Sequence, residues 1–510
     1  MASQKRQIRL IATTDVHGML WPWDHTSLAP AAGSLARVCA YVRQCRREDG
    51  DDGVALLDGG DMLQGQPGVY MYNFLDRSGE THPVVRMMHH IGYDAVTVGN
   101  HDIETGHEVY DRVRRELAPV PMLGANVTDT STGEPYFIPY TVLTRAGLRI
   151  AVLGLVTPAV PAWLPEPLWH GMRFDDPVES ARKWVSHIRE NEHPDLVVAL
   201  VHSGYRSTHL TRGMPENVSA SLAAEVSGID VIFMGHDHVA TCRREGAAGT
   251  LLINPGAHAH AVAEVTVSLT SGGRVESLEG RVVPVDGYEP DPEFTRLYAP
   301  ERDAVTAMVN EVIGYADGDF SIRDAYFGPS AFMELIHRLQ LQVTGAQISL
   351  AAPTLFDGGL AEGPLRMAHT FTLYRYENQL CTLRMSGREI KEYLEMSYNL
   401  WTAVMNGPDD SLLKFADGYS VKGDFARLIN PTYNYDSAMG IDYEVDVREP
   451  KGNKIKILRL SDGTPWREDE WYEVAVNTYR ANGGGELLTR GAGIAPEELG
   501  RRVVRATEHD

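Results

Sequence analysis

The stretch Val231-Ile232-Phe233-Met234-Gly235-His236-Asp237-His238 contains an apolar run that ends abruptly in two histidines one residue apart. Such a run is typical of a buried strand whose end presents side chains at the edge of a sheet. Four more apolar runs, at residues 8–14, 54–57, 95–98 and 196–201, lead into polar segments of the same type. These segments are Asp15-Val16-His17-Gly18, Asp58-Gly59-Gly60-Asp61, Gly99-Asn100-His101-Asp102 and His202-Ser203-Gly204. In open α/β sheets, ligands bind at the carboxyl ends of the strands.

The length and the charge of the chain narrow the classes of protein to consider. A chain of 510 residues exceeds what one hydrophobic core usually supports, and its length predicts two domains. The formal net charge is −22, from 47 Lys and Arg against 69 Asp and Glu. This charge argues against binding of a nucleic acid polymer, which requires a basic surface. A small phosphorylated substrate stays possible, because bound metal ions can reverse the local charge.

The cysteines and the amino terminus bear on the cellular compartment. The four cysteines include no Cys-x-x-Cys pair, which disfavours a disulfide framework. No apolar segment typical of a secretion signal precedes the first strand, and no run of about 18 apolar residues predicts a membrane span. We therefore expect a cytoplasmic protein without a membrane partner, or a periplasmic or secreted protein if a leader has been removed. The oligomeric state is left open.

The order of the predicted elements indicates an α/β protein with two domains. Strand and helix patterns alternate along the first half and end in an antiparallel tail, which predicts an α-β-β-α sandwich over residues 1–288. A turn-rich segment is followed by a polar helical pattern, which predicts a linker helix over residues 289–318. Residues 319–510 mix strands with amphipathic helices, such as residues 330–343, and this mixture predicts an α+β domain.

The strand-end segments together offer seven oxygen and nitrogen donors and no thiolate. These donors are Asp15, His17, Asp61, Asn100, His202, His236 and His238. One histidine of this kind is more often an ordinary loop residue, but five such segments in one chain favour a metal site. Seven donors suit two divalent ions that share one carboxylate, and mixed imidazole and carboxylate donors favour Mn, Fe, Co or Zn. Two such ions can stabilise the attacking and leaving oxygens of a phosphoryl displacement.

In order and spacing, these five segments resemble the motif blocks of the calcineurin-like metallophosphoesterases over residues 7–285. The resemblance implies a first metal site formed by Asp15, His17, Asp61 and His238. It implies a second site formed by Asp61, Asn100, His202 and His236, with Asp61 as the bridge. It also implies that His101 faces the phosphate and is not a ligand. Glu104 stands where relatives often have the Asp that orients this histidine, so the catalytic residues implied are Asn100, His101 and Glu104.

The C-terminal domain resembles that of the 5′-nucleotidase family, in which it grips the nucleoside. Two segments carry this resemblance: Tyr374-Arg375-Tyr376-Glu377-Asn378 and Asn477-Thr478-Tyr479-Arg480-Ala481-Asn482-Gly483-Gly484-Gly485. It implies that two tyrosines stack on the base, that an asparagine amide reads the base edge, and that a glycine-rich turn lies beside them. The substrate-binding residues implied are Tyr376, Asn378, Tyr479, Gly483 and Gly484. Considered alone, the tyrosines could be packing residues and the glycines a tight turn.

Three further segments are similar to the 2′,3′-cyclic-nucleotide 2′-phosphodiesterase/3′-nucleotidase branch of this family. They are Ser349-Leu350-Ala351-Ala352-Pro353-Thr354, Tyr433-Asn434-Tyr435-Asp436 and Gly440-Ile441-Asp442-Tyr443. The resemblance implies that 2′,3′-cyclic nucleotides are hydrolysed to 3′-nucleotides, and these to nucleoside and phosphate, by a metal-bridging hydroxide. The alternatives are a 5′-nucleotidase or nucleotide-sugar hydrolase, a sulfur-ester hydrolase of the same build, and a non-catalytic nucleotide-binding sensor.

Overall fold

The computed structural model describes residues 7–75, 77–207, 210–211, 213–356, 358–373, 378–415 and 428–506. The chain divides into two compact units, one formed by Met1–Pro161 and Glu166–Val309, the other by Ala162–Pro165 and Asn310–Asp510. Within the described ranges, no helix is both long enough and apolar enough to cross a bilayer.

The first unit contains a six-stranded sheet with the amino-terminal strand inside it. In spatial order its strands are Val275–Pro284, Ala261–Leu269, Gln7–Thr13, Val54–Asp58, Ala95–Thr97 and Met122–Leu123. The last four are parallel to one another, and Ala261–Leu269 runs antiparallel to Gln7–Thr13. The carboxyl ends of the four parallel strands therefore lie at one edge of the sheet.

A second six-stranded sheet of this unit also has parallel strands at its centre. In spatial order its strands are Thr241–Glu245, Thr250–Asn254, Val231–Met234, Leu196–His202, Leu148–Val156 and Tyr140–Arg145. The two outermost strands are antiparallel to their neighbours. All residues of Leu196–His202 are buried, which explains why its sequence is a continuous apolar run and not an alternating one.

The two sheets pack face to face, and helices cover their outer sides. Leu10 from the first sheet and Val198 from the second share one buried cluster. The preceding residue of the strand, Val197, points to the opposite face and packs in a cluster with the helices Pro177–Asn191 and Ser219–Glu225. This alternation follows from the two-residue period of a strand. The predicted α-β-β-α sandwich is confirmed.

The helix Leu35–Asp49 contacts the first sheet from the other side. It begins at Ser34, whose side chain accepts a hydrogen bond from the backbone of Arg37, and it ends before Gly50 at φ 82°. Further helices of this unit are Pro67–Phe74, Pro83–Ile91, Asn100–Glu104, His107–Glu116, Pro292–Leu297 and Ala299–Asn310.

The second unit is built on a mixed five-stranded sheet. In spatial order its strands are Ser437–Met439, Ile348–Ala351, Trp471–Asn477, Leu380–Ser386 and Val503–Ala506. The helices Ala331–Thr344 and Gly387–Trp401 contact this sheet, and Ile390 and Leu394 of the second helix pack with Val474 in its core. A separate hairpin pairs Ile441–Val445 with Ile455–Leu460. The unit has the α+β composition that the sequence predicted.

The segment predicted as one linker helix over residues 289–318 is different in the structure. It contains the two helices Pro292–Leu297 and Ala299–Asn310, followed by the strand Val312–Ala316. The break between the helices lies just before Pro300, which has no N–H to donate and whose ring would clash with the preceding turn of a continuous helix.

These two helices also contribute buried side chains. Phe294 in the first and Val305 in the second are fully buried. The strand Val312–Ala316 pairs with Gly363–Arg366 inside the second unit. The sequence pattern correctly predicted helix in this segment. It could not indicate which distant residues would pack against the helices.

Candidate functional site

All seven predicted metal donors lie at or just beyond the carboxyl end of a parallel strand in the first unit. The first sheet presents Asp15, His17, Asp61 and Asn100, and the second presents His202, His236 and His238. Their side chains approach one another across the edge of the sandwich, because the two sheets pack face to face with these edges on the same side. The sequence prediction that they would converge therefore agrees with the geometry.

The backbone of the donor loops adopts a conformation that L-residues rarely use. The φ angles are 50° at Asp15, 48° at His17, 60° at Asp61, 75° at His236 and 57° at His238. Each such residue costs about 1–3 kcal/mol and persists only where its surroundings enforce it, which is typical of functional sites. Hydrogen bonds of 2.9 Å from the Asp15 N–H to Gly60 O and from the His17 N–H to Asp61 O join two of these loops.

One group of donors surrounds the carboxylate of Asp61. His202 Nε2 lies 3.0 Å from Asp61 Oδ2 and 3.1 Å from Asn100 Oδ1. Asp61 Oδ2 is also 3.9 Å from His17 Nε2, a predicted ligand of the other site. Asp61 thus lies between donors of both predicted sites, as a bridging carboxylate would.

A second group gathers around Asp15. The ligand atoms of Asp15, His17 and His238 all lie within 4.8 Å of one another, and so do those of Asp15, Asp61 and His202. His238 Nε2 is 3.3 Å from Asp15 Oδ1. Asp15 is therefore common to both groups, although the resemblance gave the shared position to Asp61.

Hydrogen bonds to the far side of each imidazole orient the ring. The ring nitrogen Nδ1 of His17 lies 3.2 Å from Gln64 O, and that of His202 lies 2.7 Å from Gly59 O. A carbonyl can only accept, so Nδ1–H must donate. In the neutral ring, Nε2 then carries the lone pair that points into the site.

His236 has the opposite orientation. Its Nε2 lies 2.9 Å from Glu216 Oε1, while its ring centroid is 5.4 Å from that of His202. With Nε2 donating to the carboxylate, Nδ1 is the nitrogen with a lone pair for a ligand. Glu216 therefore acts on His236 as the backbone carbonyls act on the other rings.

The donor set fits divalent metal ions. Asp61 Oδ2 is buried and lacks a well-aligned hydrogen bond from the described residues, although His202 Nε2 lies only 3.0 Å away. The Nε2 atoms of His17 and His238 face each other at 3.1 Å. A cation held among these atoms would satisfy all of their lone pairs at once.

The electrostatics of the site favour positive charge. Burial disfavours the charged imidazole and lowers the pKa of His17 to about 3. Burial has the same direction at His202, but the adjacent Asp61 carboxylate outweighs it and raises the pKa of His202 to about 10. Burial would raise the pKa of Asp15, but His238 and His202 lower it to about 2. Burial would likewise raise the pKa of Asp61, but His202 holds it well below its usual range. The site thus keeps the buried carboxylates of Asp15 and Asp61 ionised, and these require protons on nearby groups or metal ions to balance them.

His101 lies beside the donors and is paired with Glu104. Its Nδ1 is hydrogen-bonded to Glu104 Oε2, its backbone N–H donates to Asp61 Oδ1 at 2.8 Å, and its ring centroid is 5.5 Å from that of His17. Burial lowers the pKa of His101, but Glu104 and Asp61 outweigh this and raise it to about 9. The longer Glu side chain therefore reaches the histidine that it was predicted to orient.

In the second unit, the glycine-rich turn packs against the ring of Tyr479. A Cβ at Gly484 would overlap the Tyr479 ring, and Gly483 has φ 89°. The ring of Tyr433 approaches that of Tyr479 at 6.1 Å and at an interplanar angle of 89°. The glycines thus have a packing role that the sequence alone could not distinguish from a simple turn.

The side chain of Asn378 binds the backbone of Tyr479. Its Oδ1 accepts hydrogen bonds of 3.2 Å from Tyr479 N and from Thr478 Oγ1, which use both lone pairs of that oxygen. Any reading of a base edge by Asn378 would therefore involve Nδ2 only. The other predicted stacking residue, Tyr376, lies outside the described residues.

Two known families match the two parts of the chain. Residues 8–240 match the calcineurin-like phosphoesterase family, and residues 312–490 match the 5′-nucleotidase C-terminal domain. Together these matches cover most of the sequence. The chain is a calcineurin-like metallophosphoesterase with a 5′-nucleotidase C-terminal domain. The family implies divalent metal ions as cofactors, and the donor groups described above agree with this.

Several relatives of this metallophosphoesterase are similar over much of its length. A 2′,3′-cyclic-nucleotide 2′-phosphodiesterase/3′-nucleotidase from Haemophilus influenzae is 27% identical over 93% of this chain and 80% of the relative. A 5′-nucleotidase from Vibrio cholerae is 31% identical over 47% of this chain and 42% of the relative. The crystal structure of the 5′-nucleotidase precursor from Thermus thermophilus is 22% identical, with a TM-score of 0.67 and coverage of 99% and 98%. This last similarity concerns the fold.

Several residues that support the metallophosphoesterase site were missed by the sequence analysis. Asp102 accepts hydrogen bonds from the loop that carries Asp61, and a Cβ at Gly99 would overlap Asp61 Oδ1. Both residues belong to the segment Gly99-Asn100-His101-Asp102, so this motif could have indicated their supporting role. No local pattern indicates Glu216, because its partner His236 is 20 residues away.

Proposed function

We propose that this metallophosphoesterase hydrolyses nucleotide phosphoesters, converting 2′,3′-cyclic nucleotides to 3′-nucleotides and these to nucleoside and phosphate. The observation that carries the proposal is the convergence of buried imidazole and carboxylate donors around Asp15 and Asp61. The substrate class is supported by the Haemophilus influenzae relative of that activity, which matches 93% of this chain.

We infer that two divalent ions, of Mn, Zn, Fe or Co, occupy the site. The first would be held by Asp15, His17, Asp61 and His238. The second would be held by Asp61, Asn100, His202 and His236. When bound, such ions polarise phosphoryl oxygens and lower the pKa of coordinated water towards about 7.

The residues that are not ligands would position and protonate the reacting group. Glu104 holds the ring of His101 and, with Asp61, favours its protonated form, as the raised pKa indicates. A protonated His101 can donate from Nε2 to a phosphoryl oxygen as negative charge develops there, or give its proton to the leaving ribose oxygen. Asn100 would contribute its amide oxygen to a metal.

Recognition of the nucleoside would come from the second unit. The ring of Tyr479 packs against Gly484, and stacking of an aromatic side chain on a base contributes about 1–3 kcal/mol per base. Gly483, Asn378 and Tyr376 are the other substrate-binding residues that we propose. Because stacking accepts every base, we expect broad base specificity.

A substrate panel with product chromatography tests the proposal. The purified chain would be incubated with Mn²⁺ and 2′,3′-cyclic AMP, 3′-AMP or 5′-AMP, each with and without a chelator. Chelator-sensitive loss of the cyclic and 3′ substrates, with 5′-AMP spared, is the expected result. The matched control is the Asp61→Asn variant, which should lose turnover of both substrates.

A 5′-nucleotidase is the second candidate, and the 31% identical Vibrio cholerae relative favours it. Dominant hydrolysis of 5′-AMP in the same panel would support this candidate over the proposed hydrolysis of 2′,3′-cyclic nucleotides and 3′-nucleotides. Two bound metal ions per chain with no turnover of any phosphoester would instead favour a nucleotide-binding sensor.

A further inference from the structure

A further histidine-containing loop lies beside the group of metal donors in the first unit. It is the segment Gly256-Ala257-His258-Ala259-His260, which follows the strand Thr250–Asn254. The His258 ring centroid lies 5.5 Å from that of His17 and 5.9 Å from that of His238. The His17 ring is therefore flanked by two histidines outside the predicted ligand set, His101 and His258, each at 5.5 Å.

The backbone holds His258 in this place at a conformational cost. His258 has φ 58° and Ala259 has φ 50°, two adjacent residues in a region that L-residues rarely occupy. The His258 N–H donates a 2.7 Å hydrogen bond to Asp15 O. A Cβ at Gly33 would overlap the His258 carbonyl, so Gly33 leaves the room that the loop needs.

Side-chain hydrogen bonds tie this loop to the segment that carries two of the donors. Asn254 Oδ1 accepts from the Gly256 N–H at 2.8 Å, and Asn254 Nδ2 donates to Asp237 Oδ1 at 2.8 Å. Asp237 stands between His236 and His238 in the sequence. The same hydrogen bonds therefore position the His258 loop and the segment that carries His236 and His238. Such preorganisation is typical of residues that bind a substrate.

The position of His258 suits a contact to the substrate better than a contact to a metal ion. The donor atoms of Asp15, His17 and His238 lie within 4.8 Å of one another, whereas the half-buried His258 contacts this group through ring centroids 5.5 and 5.9 Å apart. An imidazole N–H donates well to an anionic oxygen, and such bonds are stronger than neutral ones.

We propose that His258 is a further substrate-contacting residue, whose imidazole donates a hydrogen bond to the phosphate bound at the metal centre. The inference deepens the proposed function and rests on it for the identity of the natural substrate. It assigns to the Asp15 side of the centre a phosphate contact comparable to the one expected from His101.

Inorganic phosphate is the probe that tests this role. Its affinity for the Mn²⁺-loaded protein would be measured by calorimetry for wild type, His258→Asn and His258→Gln. Asn is chosen because it tolerates the left-handed backbone. The matched control is His260→Asn, an exposed position in the same loop. Manganese affinity of the metal-free protein and the thermal unfolding midpoint would be recorded for every variant.

We expect both His258 variants to bind phosphate about tenfold more weakly, as the loss of one hydrogen bond to a charged group implies. Their manganese affinity should stay within about twofold of wild type, and His260→Asn should change neither quantity. Unchanged phosphate affinity in folded variants would overturn the inference. A loss of manganese binding as large as that of His238→Ala would also overturn it, because His258 would then be a ligand.

Together with the substrate panel described above, this experiment separates the inference from the proposed function. If wild type binds phosphate and His258→Asn does not, while no nucleotide is hydrolysed, the phosphate contact stands and the nucleotidase proposal fails. If nucleotides are hydrolysed and the variants bind phosphate normally, the nucleotidase proposal stands and the role of His258 fails.

Discussion

Asp102 accepts a 2.9 Å hydrogen bond on its Oδ2 atom from the backbone N–H of Asp61. The same carboxylate also accepts bonds from the N–H groups of Gly99, Met62 and Leu63, at 2.8 to 3.1 Å. One buried side chain thus fixes the loop that presents the central carboxylate of the metal centre. Asp102 is not a ligand itself, but the position of Asp61 depends on it.

Substitution of Asp102 by Asn should weaken metal binding. The amide group would turn a donor towards backbone N–H groups, leaving buried donors unpaired at about 1–3 kcal/mol each, and loss of such supporting residues lowers metal affinity about 10–100-fold. Manganese titration of the metal-free protein measures this. The control is Asp286→Asn, the same charge change at an exposed position. Equal affinities for both variants would contradict the supporting role of Asp102.

Removal of metal ions should destabilise the first unit. A ligand that binds only the folded state at 100 times its dissociation constant adds about 2.7 kcal/mol to the free energy of unfolding. Scanning calorimetry with and without a chelator should therefore show one transition moving to lower temperature, and added Mn²⁺ should restore it. Asp61→Asn should abolish the response to Mn²⁺. A metal-independent thermogram of the wild type would speak against a resident metal.

Loss of His101 should reduce turnover without reducing metal content. A positioned general acid contributes about 10²–10⁴-fold to the rate, so His101→Ala should lower kcat by that order. Glu104→Gln should lower kcat less, because the ring remains in place with a weaker partner. The control is His170→Ala, whose side chain is 77% exposed. Metal analysis accompanies the kinetics, and an unchanged kcat would remove His101 from the mechanism.

Gly484→Ala should displace Tyr479 and weaken the binding of nucleotides. The added methyl group would overlap the tyrosine ring, and lost stacking costs about 1–3 kcal/mol per base, equivalent to a rise in KM of about 5–150-fold. Tyr479→Ala should have a similar effect, while an aliphatic phosphomonoester should be hydrolysed as before. Gly500→Ala is the control, since no atom lies within 4 Å of its added methyl group. A wild-type KM in Gly484→Ala would exclude the stacking role.

The buried ion pair between Arg480 and Asp436 should be essential for the second unit. The two side chains are each 3% exposed and lie 2.7 Å apart, and Tyr393 also donates to Asp436. Breaking a buried pair costs about 3–5 kcal/mol, so Asp436→Asn should lower the free energy of unfolding by that amount in urea titrations. Glu486→Gln, which breaks the exposed pair with Arg490, should cost at most about 1 kcal/mol. Similar losses in both variants would contradict this difference.

The sequence alone determined where the metal donors stand along the chain and what type of fold presents them. Short apolar runs without alternation, each ended by polar residues, indicated internal strands, so residues such as His202 and His236 were expected at a sheet edge. The same periodicity predicted the sandwich and the helix Ala331–Thr344 of the second unit.

Only the tertiary structure decided which residues meet, because contacts between distant residues depend on how the sheets pack. His17 and His238 are 221 positions apart, and no local pattern relates them. For the same reason, the support of Asp61 by Asp102, the orientation of His236 by Glu216 and the approach of His258 to His17 became visible only in the folded chain. The segment over residues 289–318 shows the opposite limit. Its helical period predicted one linker helix, but the structure has two helices that meet just before Pro300 and bury Phe294 and Val305. Local periodicity reports which face of an element is apolar, whereas packing decides what that face touches.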